Sequence, residues 1–135
     1  MMKDIAFTCD MEVRDYECDL QGIVNNSVYQ NYLEHTRHTY IKSLGLDFAV
    51  LSEKGINLVV KRVEIDYQIP LKSGDEFTSV LKMERLSPLR FGFVQHIYRI
   101  PDNKLVIKAL VVGTAINQRG RPELPDDLIK VWGLD

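Results

Sequence analysis

The sequence is poor in cysteine, with only Cys9 and Cys18 among 135 residues. Two thiols are too few for a disulfide framework, and their spacing suits no zinc site. The expectation is two small, at least partly buried side chains in a reducing cytoplasm. A long apolar run is missing as well. None approaches the roughly 20 residues that a membrane-spanning helix needs. No apolar signal core follows Met1-Met2-Lys3-Asp4, so neither secretion nor a membrane is expected. No sign of charge dominates: 17 basic residues face 19 acidic ones, for a formal net charge of -2. Without an overall field, no nucleic-acid partner is expected, and a phosphate-bearing ligand needs a local cluster of cations. There is no phosphate-binding glycine loop and no Gly-x-Ser-x-Gly elbow. His35, His38 and His96 make no metal-ligand pattern, so neither metal nor cofactor is expected.

What is present suits one domain, residues 1–135. Phe7, Cys9, Met11 and Val13 alternate with polar neighbours, the period of a half-buried strand. A turn-rich stretch from Cys18 to Asn26 follows. Ser27, or Asn26 just before it, is the expected helix cap. Val28, Tyr29, Tyr32, Leu33, Thr36, Tyr40, Ile41 and Leu44 then recur at helical spacing. Gly45 stands where a left-handed C-terminal cap belongs. A second helical piece is expected around Phe48 to Lys54. Val59, Val63, Ile65, Tyr67 and Ile69 alternate with charged residues and predict a strand that Pro70 ends. Three more strands are predicted, at about Asp75 to Leu86, Arg90 to Ile100 and Leu105 to Asn117. Short turns join the later strands, so all of them are expected to be antiparallel neighbours. The fold class is α+β: one long helix wrapped by a curved antiparallel sheet of about five strands. A strand face or edge is expected to dock on a second subunit, with two-fold symmetry.

The densest polar run lies between the first strand and the helix, from Arg14 to Asn26. A helix N-terminus presents unpaired N–H groups and partial positive charge, which can stabilise an oxyanion. A carboxylate just upstream can serve there as nucleophile or as general base. By pattern alone, Asp19 fits an ordinary solvated turn better and Asn26 a simple cap.

The run Asp19-Leu20-Gln21-Gly22-Ile23-Val24-Asn25-Asn26-Ser27-Val28-Tyr29, then Tyr32-Leu33-Glu34 and Arg37, resembles the acyl-CoA thioesterases of the 4-hydroxybenzoyl-CoA thioesterase type. The likeness continues through Val60 to Pro70, Gly74-Asp75-Glu76 and Gly120-Arg121-Pro122. It covers nearly the whole chain and reverses the preference at Asp19. The resemblance implies a hot-dog fold, paired into a dimer with a continuous sheet and often again into a tetramer, with active sites at the dimer interface. It implies hydrolysis of a thioester of coenzyme A or of an acyl-carrier protein. Asp19 takes the place of the catalytic carboxylate, and Asn26 that of the residue whose backbone N–H polarises the carbonyl. Relatives often carry His four residues after the Asp, or Tyr or His seven after it; here Ile23 and Asn26 stand there. A backbone donor does not depend on side-chain type, so Asn26 can still serve.

Val24, Asn25, Tyr29 and Leu33 are the expected neighbours of the acyl group. Lys61, Arg62 and Arg90 are the candidate cations for the phosphates, although each read singly is an ordinary surface charge. Lys61 interrupts an apolar alternation, which suggests a pocket rim or an interface. Two rival readings remain. A hot-dog hydratase or dehydratase needs a catalytic His near the helix, and none occurs between Met1 and Tyr32. A non-catalytic acyl-thioester binding protein would keep the pocket without turnover.

Overall fold

The computed structural model describes residues 1–46 and 48–135. The order of elements is β1 (Phe7–Glu12), a 3-10 turn (Asp15–Glu17), α1 (Asn26–Ser43), α2 (Phe48–Glu53), β2 (Asn57–Tyr67), β3 (Glu76–Ser87), β4 (Arg90–Ile100), β5 (Leu105–Ile116) and α3 (Asp126–Val131). The strands form one antiparallel sheet in the order β1-β3-β4-β5-β2. This is the curved sheet and long helix of the hot-dog fold.

Helix α1 starts one residue earlier than its expected caps. Asn25 is the N-cap, and its Oδ1 accepts the Ser27 N–H at 3.2 Å and the Ser27 hydroxyl at 3.1 Å. Asn25 prevails over Ser27 because its extended backbone leaves the amide oxygen within reach of the first turn. At the other end Gly45 takes φ +79°. The Gly45 N–H then bonds Lys42 and the Leu46 N–H bonds Ile41, which closes the last turn in a Schellman motif. The expected apolar stripe faces inward: Tyr29, Tyr32, Leu33, Thr36, Tyr40 and Ile41 are all buried. Thr36 is polar, but its hydroxyl is satisfied by the Tyr32 carbonyl and the Ser79 hydroxyl.

The expectation that every later strand pairs with its sequence neighbour fails at β2. That strand does not pair with β3; it lies on β5, at the far edge of the sheet. β3 is flanked by β1 and β4, so β2 cannot lie beside it. Residues 68–75 therefore carry the chain across the end of the sheet, and this crossover runs beside the opening of α1. Its Leu71 is fully buried, donates its N–H to the Tyr29 hydroxyl at 3.1 Å and accepts the Val24 N–H at 2.9 Å.

β5 is an interior strand, as its two-sided apolar pattern suggests. β2 is an edge strand, with Val60 52%, Val63 37% and Tyr67 47% exposed. Lys61 breaks the alternation for a local reason: the β2–β5 register shifts between Val60 and Arg62, so Lys61 is the extra residue of a bulge. The helix α3 lay outside the expected elements. It buries Leu128 and Ile129, and Trp132 follows it to stack 4.8 Å from the Phe91 ring. No helix among the described residues is long and apolar enough to cross a membrane.

Candidate active site

The loop from Arg14 to Asn25 is fastened to the helix that follows it, and Glu17 is the clasp. This buried carboxylate accepts the Arg14 N–H and the Tyr32 hydroxyl, both at 2.8 Å on Oε1. Its other oxygen stands 3.7 Å from the Arg14 guanidinium. The Glu17 carbonyl accepts the N–H of Asn25, the cap itself. One residue thus holds both ends of the loop against the second turn of α1. Burial and the hydrogen bond to Glu17 push the Tyr32 hydroxyl's pKa far up, so it stays protonated and donates.

Within that loop the chain turns tightly. The Asp19 N–H bonds the Ile23 carbonyl at 2.9 Å, and the Gly22 N–H bonds the Asp19 carbonyl at 3.0 Å. Gly22 sits at φ +80°, a conformation that a side chain would strain. The Asp19 side chain is exposed. Its Oδ1 accepts the N–H of Gln21 at 2.9 Å and, more weakly, of Ile23 at 3.4 Å. Its Oδ2 has no hydrogen bond among the described residues. One oxygen therefore orients the carboxylate and the other is left for chemistry.

The first turn of α1 divides its donors unequally. The Asn25 side chain takes the Ser27 N–H, and the Asn25 carbonyl takes the Val28 N–H at 2.9 Å. Asn26 is the first helical residue, so its N–H has no acceptor in the helix. None of the described residues accepts it. Asn26 also lines a cleft of ≈ 240 Å³ walled by Ile23, Val24, Asn26 and Tyr29 on one side and by residues 67–70 on the other. The Tyr29 and Tyr67 rings meet edge-on at 5.6 Å and form its aromatic wall. The Tyr29 hydroxyl accepts the Leu71 N–H and, chiefly because of burial, titrates above its usual range. A neutral donor therefore persists beside the cleft.

The residues singled out in the sequence divide into two sets. Val24, Asn26 and Tyr29 share the cleft. Asp19 does not line it but is bonded to Ile23, which does. Asn25 spends its side chain on the helix cap. Leu33 is sealed in the core, and its carbonyl holds the buried Gln95 side chain. Lys61 is exposed at the bulge, Arg62 pairs with Glu64, and Arg90 is exposed at the start of β4; none of the three borders the cleft. Sequence reasoning passed over Glu17, whose partner lies fifteen residues on. It also passed over the crossover wall, because only the sheet order brings residues 67–70 to the helix opening.

Comparison with known proteins gives a consistent picture. The family described as the thioesterase-like superfamily matches residues 13–131. A chloroplastic acyl-acyl carrier protein thioesterase of Arabidopsis thaliana is 31% identical over 113 residues, or 84% of this chain and 60% of that protein. A Bacillus subtilis protein named as a putative acyl-CoA thioesterase is 32% identical over 100 residues, 74% of this chain and 72% of that one. The fold superposes on a 1,4-dihydroxy-2-naphthoyl-CoA thioesterase from Synechocystis with a TM-score of 0.88 at 19% identity, covering 94% and 95% of the two chains. The chain spans about 60% of the length of the Arabidopsis relatives it matches.

Proposed function

The chain belongs to the thioesterase-like superfamily, and from that premise we propose that it hydrolyses acyl thioesters of coenzyme A or of an acyl-carrier protein. The observation that carries this reading is the unpaired N–H of Asn26, a residue that lines an apolar and aromatic cleft. A thioester carbonyl seated there would have its oxygen against that N–H and the positive end of α1. Asp19 supplies the carboxylate through Oδ2, either attacking the carbonyl carbon or taking a proton from an attacking water. The C–S bond then breaks and the sulfur leaves as thiolate, which needs no strong general acid; on the direct-attack route a water then cleaves the acyl anhydride formed on Asp19 and frees the acid. The acyl group lies along Val24 and Tyr29. Lys61, Arg62 and Arg90 stand outside the cleft, on surfaces that a long phosphate-bearing carrier can reach.

The functional unit is a two-fold dimer, or a tetramer of two dimers. The exposed edge of β2, with Val60 and Val63 on it, supports this assembly. Two copies joined antiparallel along that edge would make one continuous ten-stranded sheet and leave neither β2 edge open. The place of work is the cytoplasm, where Cys9 and Cys18 remain thiols.

One observation favours a second reading. Asp19 lies outside the cleft lining of the single chain, as it would in a protein that binds acyl thioesters without cleaving them. Thiol release measured across a panel of acyl-CoAs and acyl-carrier proteins separates the two. Hydrolysis that falls ~100-fold or more in Asp19→Asn supports the enzyme. Equal rates in parent and variant remove Asp19 from the mechanism, and saturable binding without thiol release establishes the binding protein.

A further inference from the structure

A second cavity, of ≈ 180 Å³, opens between the later turns of α1 and the sheet. Its floor is apolar: Val59, Val60, Phe91 and Phe93. Gly113 leaves room for the Phe91 ring of that floor, because a Cβ there would come within 2.7 Å of it. Glu34, Arg37 and His38 of α1 are its polar lining. The Arg37 guanidinium lies 5.9 Å from the centre of the Phe93 ring, and its Nη1 donates to the Gln95 Oε1 at 3.1 Å. Gln95 is itself fully buried and donates to the Leu33 carbonyl, so the guanidinium is held in place. An arginine has five N–H donors, and Gln95 takes one. No carboxylate among the described residues stands within ion-pair distance of it; Glu34, on the same cavity, lies 3.6 Å from His38 instead.

Resting on the thioesterase reading and its β2-joined dimer, we propose that this cavity receives the far end of the acyl group bound at the helix opening of the other copy, and that Arg37 selects acyl groups carrying a hydroxyl or carbonyl oxygen there. Within one chain Arg37 is eleven residues past Asn26, about 16 Å along the helix at the usual rise. The two cavities also share no lining residue. Across an antiparallel β2–β2 contact the relation changes. The Leu58–Val60 end of one strand, which borders the Arg37 cavity, comes opposite the Tyr67 end of the other, which borders the cleft. An acyl chain crossing that boundary enters an apolar channel that ends on spare N–H donors. Glu34, on the same cavity, offsets the guanidinium's charge, so the pair leaves no net positive charge to draw a carboxylate ahead of a neutral oxygen.

The test uses the full-length protein and acyl-CoAs of matched length in three forms: plain, ω-hydroxy or ω-oxo, and ω-carboxy. The readout is the ratio of kcat/KM for each oxygenated form to that for the plain form. In the parent the neutral oxygenated form is expected to lead by ~10-fold or more at one chain length, the size of one hydrogen bond to a charged group. Arg37→Met should bring that ratio to near one, and Arg37→Lys should retain part of it. A purely structural Arg37 would lower all rates together and leave the ratio alone. Should Arg37→Met fail to fold, Arg37→Gln carries the same ratio test. A parent ratio of one at every length, a preference that survives Arg37→Met, or an ω-carboxy form that leads each overturns the proposal. Binding of non-hydrolysable thioether analogues by calorimetry separates this failure from that of the enzyme reading. Arg37-dependent preference in binding without any hydrolysis would uphold the cavity's role and overturn only the chemistry.

Discussion

The substitution Asn26→Pro isolates the proposed oxyanion donor with little else disturbed. Proline removes one N–H, and at the first helical position that N–H has no partner inside the helix. Its fixed φ suits the start of a helix. The residue before a proline must be extended, and Asn25 already has φ -64° and ψ 137°. The cap bonds from the Asn25 side chain to Ser27 are untouched. Stability should therefore stay close to the parent's, with helix content by circular dichroism and Tm as controls. If Asn26 N–H stabilises the developing oxyanion, kcat for thiol release should fall by ~100- to 1000-fold. Asn26→Ala keeps the N–H and should keep most of the rate. A folded Asn26→Pro protein with parental kcat would refute the assignment and move the oxyanion site elsewhere.

Four further outcomes follow from the packing. Tyr32→Phe takes one hydrogen bond from the buried Glu17 carboxylate, at a cost of ~1.5–3 kcal/mol in denaturant unfolding, and loosens the loop that carries Asp19. Burial raises the pKa values of Tyr29, Tyr32 and Tyr40 above the ordinary 10.0, so their contribution to stability is present below pH 10 and is lost as pH climbs beyond it; the steepness of that alkaline loss should fall by one tyrosine's share in Tyr32→Phe. Gly113→Ala would set a methyl group 2.7 Å from the Phe91 ring and 3.0 Å from the Val59 carbonyl oxygen, and should cost ~1–3 kcal/mol by thermal unfolding. The pair Val60→Glu and Val63→Glu puts like charges on the exposed β2 edge and should weaken self-association ~100-fold by analytical ultracentrifugation; an unchanged oligomer would place the interface elsewhere.

Local periodicity and local turn chemistry were enough to read most elements from the sequence. The stripe from Val28 to Leu44 specified both α1 and the face it buries, because 3.6-residue spacing leaves one inward side. Gly45 ended the helix through its left-handed backbone, and that requirement is also local. The Asp19-to-Tyr29 run was legible as a candidate site through its resemblance to a family, whereas its residue types alone favoured an ordinary turn. Three features depended on tertiary structure. The place of β2 beside β5 was hidden, because hydrogen bonding between strands reports no sequence distance and short links favour neighbours only on average. That placement in turn brought residues 67–70 to the helix opening and made the cleft. The clasp between Glu17 and Tyr32 was hidden because a carboxylate in a turn reads as solvated until the fold removes its water. The same reasoning covers Leu33 and Arg37, four residues apart on one helix. The sheet closes over Leu33 and leaves space beneath Arg37, and only the shapes of side chains on β2, β4 and β5 decide which is core and which borders a cavity.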